Sequence, residues 1–365
     1  MLSLLIWTIG FAILGLGFSN RHRFLGKTLN EEPDEQLTVI MDKNPSFRDM
    51  IRKFEKRRVL LKWVSDILNV AIFAFVGYLS FLFFSSDSGK YSYKVYLFIL
   101  LTLPLLLLIK RPFFNLKRFT RQYKNQVLSL LIKAVNPALG YKSDGVLPLE
   151  IIKDSEIFNL QHFANELNKN YQGEDLIYGE VNGVGLAFSD VEAFSGIGKE
   201  VKLVFTGTFL SADFPFDFKG KTFVVPDLSA SGFKEDLLSK SVTNKKTFKT
   251  EGDRVDLVDP TFEKIYDVFS TNEEEARYIM SPQLRKSLLK LDGEANDKVV
   301  VALSFIGNQV FIGMLFNYLK FEPSLNIPLD RMNILTYAYN QLNLVLEVVA
   351  EIQAFHKNKK ASVGV

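Results

Sequence analysis

Four carboxylates in the middle of the chain are the residues whose types and spacing could do chemistry. Glu174, Asp175, Asp190 and Glu192 fall on two consecutive segments rich in Val, Phe and Tyr, a composition typical of β-strands. Carboxylates brought together by strand pairing could bind a cation or act as general acid and base. Alternatively, they cap turns, pair with Lys or Arg, or face water. The sequence leaves both interpretations open.

Other catalytic chemistry has little support in the sequence. The chain has no Cys, which excludes disulfides, thiolate nucleophiles and Cys-based zinc or iron–sulfur sites. Its three His residues, His22, His162 and His356, are far apart and share no metal-ligand spacing. The segment GIGKE (196–200) lacks the spacing of a phosphate-binding loop. The sequence therefore predicts no catalytic residue, no metal site and no cofactor, and it favours a non-enzymatic protein.

The elements that would position the carboxylates are strands followed by a closing helix. The segments DLIYGEV, VGLAFSDVEAF, EVKLVFTGTFLSADF and KTFVVPD read as strands, and Asn182-Gly183 predicts a hairpin turn between the first two. A second hairpin is predicted across Gly307-Asn308, and a long helix begins near Pro328. For residues 141–365 we therefore expect a curved antiparallel sheet packed by helices, with a long C-terminal helix.

The C-terminal helix carries an apolar seam with alternating spacings of three and four residues, which is a heptad pattern. The seam would either pack across the sheet or bind a partner helix. In the second case the partner-binding residues are Leu335, Leu342, Val345, Val349 and Ile352.

The N-terminal third contains three apolar segments. Residues 63–85 and 91–109 lie between Lys/Arg clusters, and residues 1–18 are almost free of polar side chains. Such runs predict spanning helices, and the Lys/Arg bias predicts a cytoplasmic C-terminal body. The predicted organisation is a transmembrane helix or signal anchor (1–20), a cytoplasmic linker with a basic helix (21–62), a transmembrane hairpin (63–109), an amphipathic connector helix (110–140) and a cytoplasmic α+β domain (141–365).

Charge is divided unequally along the chain. Residues 1–124 carry a net charge of +10 and residues 125–365 a net charge of −7. The acidic part argues against nucleic acid as a partner, because phosphate contacts need a basic face. The basic helix within residues 46–62 is either a solvated helix or one that binds lipid headgroups. Its headgroup candidates are Arg52, Lys53, Lys56, Arg57, Arg58 and Lys62.

Several stretches together resemble a bacterial membrane-anchored family known as domain of unknown function 3137, over about residues 119–330. They are NYQGEDLIYGEVNGVGLAFSDVEAF (170–194), VFTGTFLSADFPFDFKGKTFVVPD (204–227), YDVFSTNEEEARYIMSP (266–282) and FEPSL (321–325). The resemblance implies a transmembrane hairpin followed by a cytoplasmic domain in the bacterial inner membrane. It implies no activity. Genes of the family often lie near those of LemA-like membrane proteins, which implies a possible partner.

The expected fold class is therefore a membrane-anchored α+β protein with N-terminal transmembrane helices. The favoured function is a non-enzymatic integral membrane scaffold or adaptor, with a second copy or a LemA-like protein as partner. One alternative is a lipid-responsive or lipid-handling module that contacts the bilayer. Another is a carboxylate- or metal-dependent hydrolase.

Overall fold

The structure is a computed structural model, and it describes residues 35–85, 116–158, 171–195, 202–227, 248–294, 299–316, 322–329 and 333–363. The chain divides into two compact units. The first consists of Met1–Val127 and Glu322–Tyr337, and the second of Leu128–Phe321 and Ala338–Val365.

Helices lead the described chain, and strands dominate its middle. The helices are α1 (Glu35–Lys43), α2 (Pro45–Ser85), α3 (Leu116–Tyr123), which a π-helical turn (Lys124–Leu128) extends, α4 (Ser129–Val135), α5 (Leu149–Asp154), α6 (Pro260–Glu263), α7 (Glu273–Ile279), α8 (Pro282–Glu294) and α9 (Asn333–Val363). The strands are β1 (Leu139–Lys142), β2 (Gln172–Val181), β3 (Val184–Ser195), β4 (Lys202–Asp213), β5 (Thr222–Pro226), β6 (Asp253–Arg254), β7 (Tyr266–Ser270), β8 (Val299–Ile306) and β9 (Gln309–Phe316).

The described strands form one nine-stranded antiparallel sheet in the order β1-β2-β3-β4-β9-β8-β5-β7-β6. Both predicted hairpins are present. Asn182 and Gly183 have φ values of 53° and 81° between β2 and β3, and Gly307 has a φ of 59° between β8 and β9. These left-handed conformations are what a two-residue hairpin turn requires, so the sequence signal was correct.

Alternating side chains of the central strands pack against two separate cores, as the two-residue period of a strand requires. In β4, Leu210 and Ala212 lie in the larger core, while Phe209 lies in the smaller core on the other face. In β9, Val310 and Ile312 likewise face the larger core and Phe311 the smaller. A sheet buried on both faces is held rigidly, and it fixes the side chains that its strands carry.

The long C-terminal helix covers one of these faces. Four seam residues of α9, Leu342, Val345, Val349 and Ile352, are buried in the larger core together with the sheet. Leu335, near the start of the same helix, is also buried. This burial matches the alternative in which the seam packs across the sheet. Their predicted role in partner binding stays a prediction.

The predicted membrane anchor requires correction. No helix within the described ranges is both long enough and apolar enough to cross a membrane. The prediction of a membrane-anchored fold with N-terminal transmembrane helices is therefore wrong, and so is the multi-pass inner-membrane location. Residues 63–85 lie in α2. Residues 1–20 and 91–109 lie outside the described residues.

Candidate functional site

One side of α2 is solvent-exposed over residues 52–70, and we call it the exposed face. Its members fall within about half of the helix circumference at 3.6 residues per turn. The first part is basic and the second part apolar. The residues are Arg52, Lys53, Lys56 and Arg57, followed by Val59, Leu60, Trp63, Ile67 and Val70.

The apolar part of the exposed face is unusual for a folded protein. Leu60, Trp63, Ile67 and Val70 expose between 60% and 68% of their surface, and Val59 exposes 37%. Single exposed apolar residues are normal, but neighbours at spacings of three and four residues form one continuous patch. Such a patch, beside four cations, is the feature of the first unit that is suited to binding.

The opposite side of α2 holds the helix in place. Phe47, Ile51 and Phe54 are almost fully buried. The Phe54 ring lies 5.8 Å from the ring of Phe119 and 5.9 Å from that of Tyr123. These contacts dock α3 against α2 and set the direction in which the exposed face points.

A buried ion pair fixes the same turn of α2. Arg58, 5% exposed, donates from Nη2 to Glu55 Oε1 at 2.6 Å and from Nε to Glu55 Oε2 at 2.8 Å. Its Nη1 donates to the carbonyl of Leu325, and the backbone N–H of Leu329 donates to Glu55 at 2.9 Å. The hydrogen bond from Arg58, opposed by burial and helped by the Leu329 amide, lowers the pKa of Glu55. The FEPSL stretch of the sequence therefore meets α2 here.

The six predicted headgroup residues are divided by these contacts. Arg52, Lys53 and Lys56 are exposed. Arg57 is exposed too, although it donates to Gln122 Oε1 at 2.9 Å and lies over the Phe54 ring. Of the remaining two residues, Arg58 is buried in the ion pair and Lys62 is half-buried. Sequence reasoning missed the apolar half of the face because it assigned Trp63 and its successors to a spanning segment. The spacing of Leu60, Trp63, Ile67 and Val70 was the available signal.

The carboxylates of the central strands do come together, with a tyrosine that sequence reasoning missed. Glu174 pairs with Asp190 in the register of β2 and β3. Asp175, 1% exposed with a φ of 64°, lies in the bulge that follows Glu174 and accepts a hydrogen bond from the Tyr141 hydroxyl. Thr208 Oγ1 donates to Asp190 Oδ1 at 2.6 Å. We call Tyr141, Asp175, Asp190 and Thr208 the polar cluster.

The polar cluster is built as an internal hydrogen-bond network. Burial, reinforced by the negative charge and hydrogen bond of Asp175, raises the pKa of Tyr141, so its hydroxyl stays a donor. The fourth predicted carboxylate, Glu192, accepts from Gln172 Nε2 at 2.8 Å on the same pair of strands. Within the part of the chain that the structure describes, no three His, Cys, Asp or Glu residues are grouped as a metal ion would need.

The charged residues of the NEEEARY motif serve the fold. Glu275 accepts hydrogen bonds from the backbone N–H groups of Lys219 and Gly220 at 2.6 and 2.9 Å, and so holds the FKGK loop. Arg277 pairs with Glu273, one helical turn earlier on α7, at 2.6 Å. Two of the stretches that resemble the family thus contact each other, which gives Glu275 a structural role.

Comparison with known proteins finds a family match over part of the chain and no activity. Residues 203–354 match the family described as "Protein of unknown function (DUF3137)". This match confirms the resemblance over that segment, which begins later and ends later than the expected range. No curated protein matches the chain.

One solved structure was found, the "crystal structure of the mycobacterial trehalose monomycolate transport factor A, TtfA". The sequences are 12% identical, and the match covers 60% of this chain and 95% of that one with a TM-score of 0.27. At this TM-score the likeness supports no argument about fold or function.

Proposed function

We propose that this chain is a non-enzymatic binding protein that acts as a scaffold or adaptor and docks through the exposed face of α2. The observation that carries the proposal is the run of Leu60, Trp63, Ile67 and Val70, each more than half exposed on one side of a helix. Burying apolar surface contributes about 25 cal/mol per Å², so covering four large side chains is a substantial driving force for association.

The hydrolase alternative has no comparable support. A general acid or base must reach a substrate, whereas Asp175 is 1% exposed and accepts from Tyr141. Asp190 accepts from Thr208, whose side chain is itself buried. These contacts favour a structural role for the polar cluster.

The lipid-handling alternative is favoured by a specific observation, the four exposed cations Arg52, Lys53, Lys56 and Arg57 beside the apolar patch. A LemA-like protein and a second copy of this chain stay candidate partners on the adaptor hypothesis. All of these would use the same face, so a single experiment tests the docking role before the occupant is known.

Site-specific photocrosslinking tests the proposal. A benzophenone amino acid replaces Ile67 in the full-length protein in cells, and a control replaces Tyr278, which is 41% exposed on α7 of the other unit. The intact mass of the irradiated protein then reports any covalent adduct, whether protein or lipid. We expect adducts at position 67 well above those at position 278. Equal or absent adducts at position 67 would contradict the docking role.

A further inference from the structure

We infer that the occupant of the exposed face is the surface of an anionic lipid layer, an inference that rests on the proposed docking role. The face presents two chemistries in sequence along one helix, cations first and large apolar side chains next. An anionic lipid surface offers the matching pair, because its phosphates lie directly above its acyl chains.

The charges of the face select a negative partner. Arg52, Lys53 and Lys56 are exposed, and the carboxylate nearest to Arg52, Asp49, lies at 4.0 Å with both side chains in water. Such an exposed pair contributes little and is easily replaced by a phosphate. Glu55, by contrast, is committed to Arg58. The basic part of the face therefore keeps a net positive charge.

The same charges disfavour a second copy of this chain in parallel register. Two such faces packed together would oppose Arg52, Lys53 and Lys56 to their own copies, and like charges at close range cost free energy. The heptad-like spacing of Leu60, Trp63, Ile67 and Val70 is compatible with a helical partner, so a protein occupant is treated as an outcome of the test.

The dimensions of the face fit an obliquely inserted helix. Leu60 and Val70 are ten residues apart, or about 15 Å along the axis at 1.5 Å per residue. A helix tilted toward the lipid would place the cations at the headgroups and carry the apolar part into the headgroup and acyl boundary, about 5–10 Å deep. Trp63 lies near the start of the apolar part, about two helical turns after Arg57, and Trp is enriched at that boundary. This attachment is to the surface and requires no spanning helix.

Asp66 is the one exposed acid at the edge of the apolar part. Its carboxylate would approach the anionic surface and weaken the attachment. Substitutions that remove a cation from the face should weaken binding to anionic vesicles. Asp66→Asn, which removes a negative charge, should instead tighten this binding by up to about fivefold.

The test uses the full-length protein with Trp7→Phe, so that Trp63 is the remaining tryptophan of the two in the chain. Vesicles of phosphatidylcholine mixed with phosphatidylglycerol are compared with vesicles of phosphatidylcholine alone, at low and at high salt. We expect co-flotation with the anionic vesicles, a loss of binding in high salt, a blue shift of Trp63 emission and quenching by brominated acyl chains.

Matched variants assign the binding to the face. Arg52→Gln, Lys53→Gln and Lys56→Gln together should weaken binding about a hundredfold, since each cation near an anionic surface contributes roughly a factor of five. Lys219→Gln, Lys264→Gln and Lys286→Gln remove the same charge from exposed positions elsewhere and should leave binding within about twofold. Circular dichroism confirms that each variant folds, and Ile67→Ser is a second variant that leaves the charge untouched.

The results separate this inference from the docking proposal. Absence of binding to anionic vesicles, or binding that Arg52, Lys53 and Lys56 do not affect, overturns the lipid inference. If a protein adduct nevertheless forms at position 67, the docking role stands with a protein as occupant, which includes a second copy. If neither vesicles nor crosslinks report contact, both proposals fail.

Discussion

The exposed face and the polar cluster each hold side chains in an unusual environment. The exposed face has apolar side chains in water, and the polar cluster has polar side chains in the interior. The polar cluster places Tyr141 and Asp175 in the interior of the second unit, and each has a hydrogen-bond partner there. The exposed face places Leu60 and Trp63 in water on α2, where no described contact covers them. The first arrangement is satisfied within the chain and the second is not.

This difference shows which region is directed outward. Within the polar cluster Asp175 accepts from Tyr141 and Asp190 accepts from Thr208, and such hydrogen bonds in the interior favour a role in the fold. Exposed apolar groups add nothing to the stability of the fold. The favourable free energy of burying their surface is gained only when a partner covers them. These contacts favour a structural role for Asp175 and Asp190, and the exposed face of α2 is the better functional candidate.

The largest expected effect concerns two acids on α2 that differ in burial. Glu55 and Asp49 each pair with an arginine three residues later. Glu55→Ala leaves Arg58 buried and unpaired, and should lower the free energy of unfolding by about 3–5 kcal/mol. Asp49→Ala removes a pair that lies in water and should change it by less than about 0.5 kcal/mol. Urea denaturation with hydrogen exchange of α2 measures both.

Equal effects of the two substitutions would contradict the division of α2 into a structural and an exposed side. A large loss for Asp49→Ala would mean that the exposed face also carries the fold of the first unit.

A smaller effect is expected in the polar cluster. Asp175→Ala removes the acceptor of the Tyr141 hydroxyl and should lower the free energy of unfolding by about 2–3 kcal/mol, because a buried donor is left without its partner. Tyr141→Phe, which removes the donor, should cost about 1–2 kcal/mol. Glu180→Ala, at an exposed position on the same strand, is the control. Thermal denaturation measures all three.

If Asp175→Ala unfolds no more easily than the Glu180 control, the cluster is not structural and the contrast between the two regions is lost. A substrate-facing role for Asp175 would then have to be reconsidered.

Local signals predicted much of the second unit. Asn182-Gly183 specified a hairpin because left-handed backbone at both positions is a local property. Composition rich in β-branched and aromatic residues likewise identified β3 and β4, and the turn at Gly307-Asn308 identified the hairpin of β8 and β9. These features depend on neighbours in sequence, and a single sequence contains them.

Long-range partners could not be read in the same way. The bond between Tyr141 and Asp175 depends on the pairing of β1 with β2, which no local spacing encodes. Arg58 was grouped with the exposed cations because its residue type and flank are the same, and only its contacts with Glu55 and Leu325 show that it is buried. The membrane prediction rested on hydropathy, and no helix within the described ranges is long and apolar enough to cross a membrane.

The smallest expected effect comes from a half-exposed network of ion pairs. Its side chains are less buried than the polar cluster and less exposed than the exposed face. Glu156 accepts from Lys221 Nζ at 3.1 Å and also pairs with Lys249, and Lys221 lies 3.1 Å from Glu251. Burial alone would raise the pKa of Glu156, but the hydrogen bonds from Lys249 and Lys221 together lower it below its usual value. A carboxyl with a lowered folded-state pKa stabilises the fold above its unfolded pKa, and this stability is lost as pH falls through the folded value.

Glu156→Gln should therefore lower the free energy of unfolding at neutral pH by less than about 1 kcal/mol, since both lysines are partly in water. The difference from the native chain should shrink as pH falls below about 4.5, the usual glutamate value, and the native chain loses its ionised Glu156. Glu180→Gln, at an exposed position on β2, is the control for the loss of one carboxylate. Urea denaturation of the native chain and both variants across this pH range measures the differences in the free energy of unfolding. A constant difference at every pH would mean that packing of Glu156, and not its charge, stabilises this edge of the second unit.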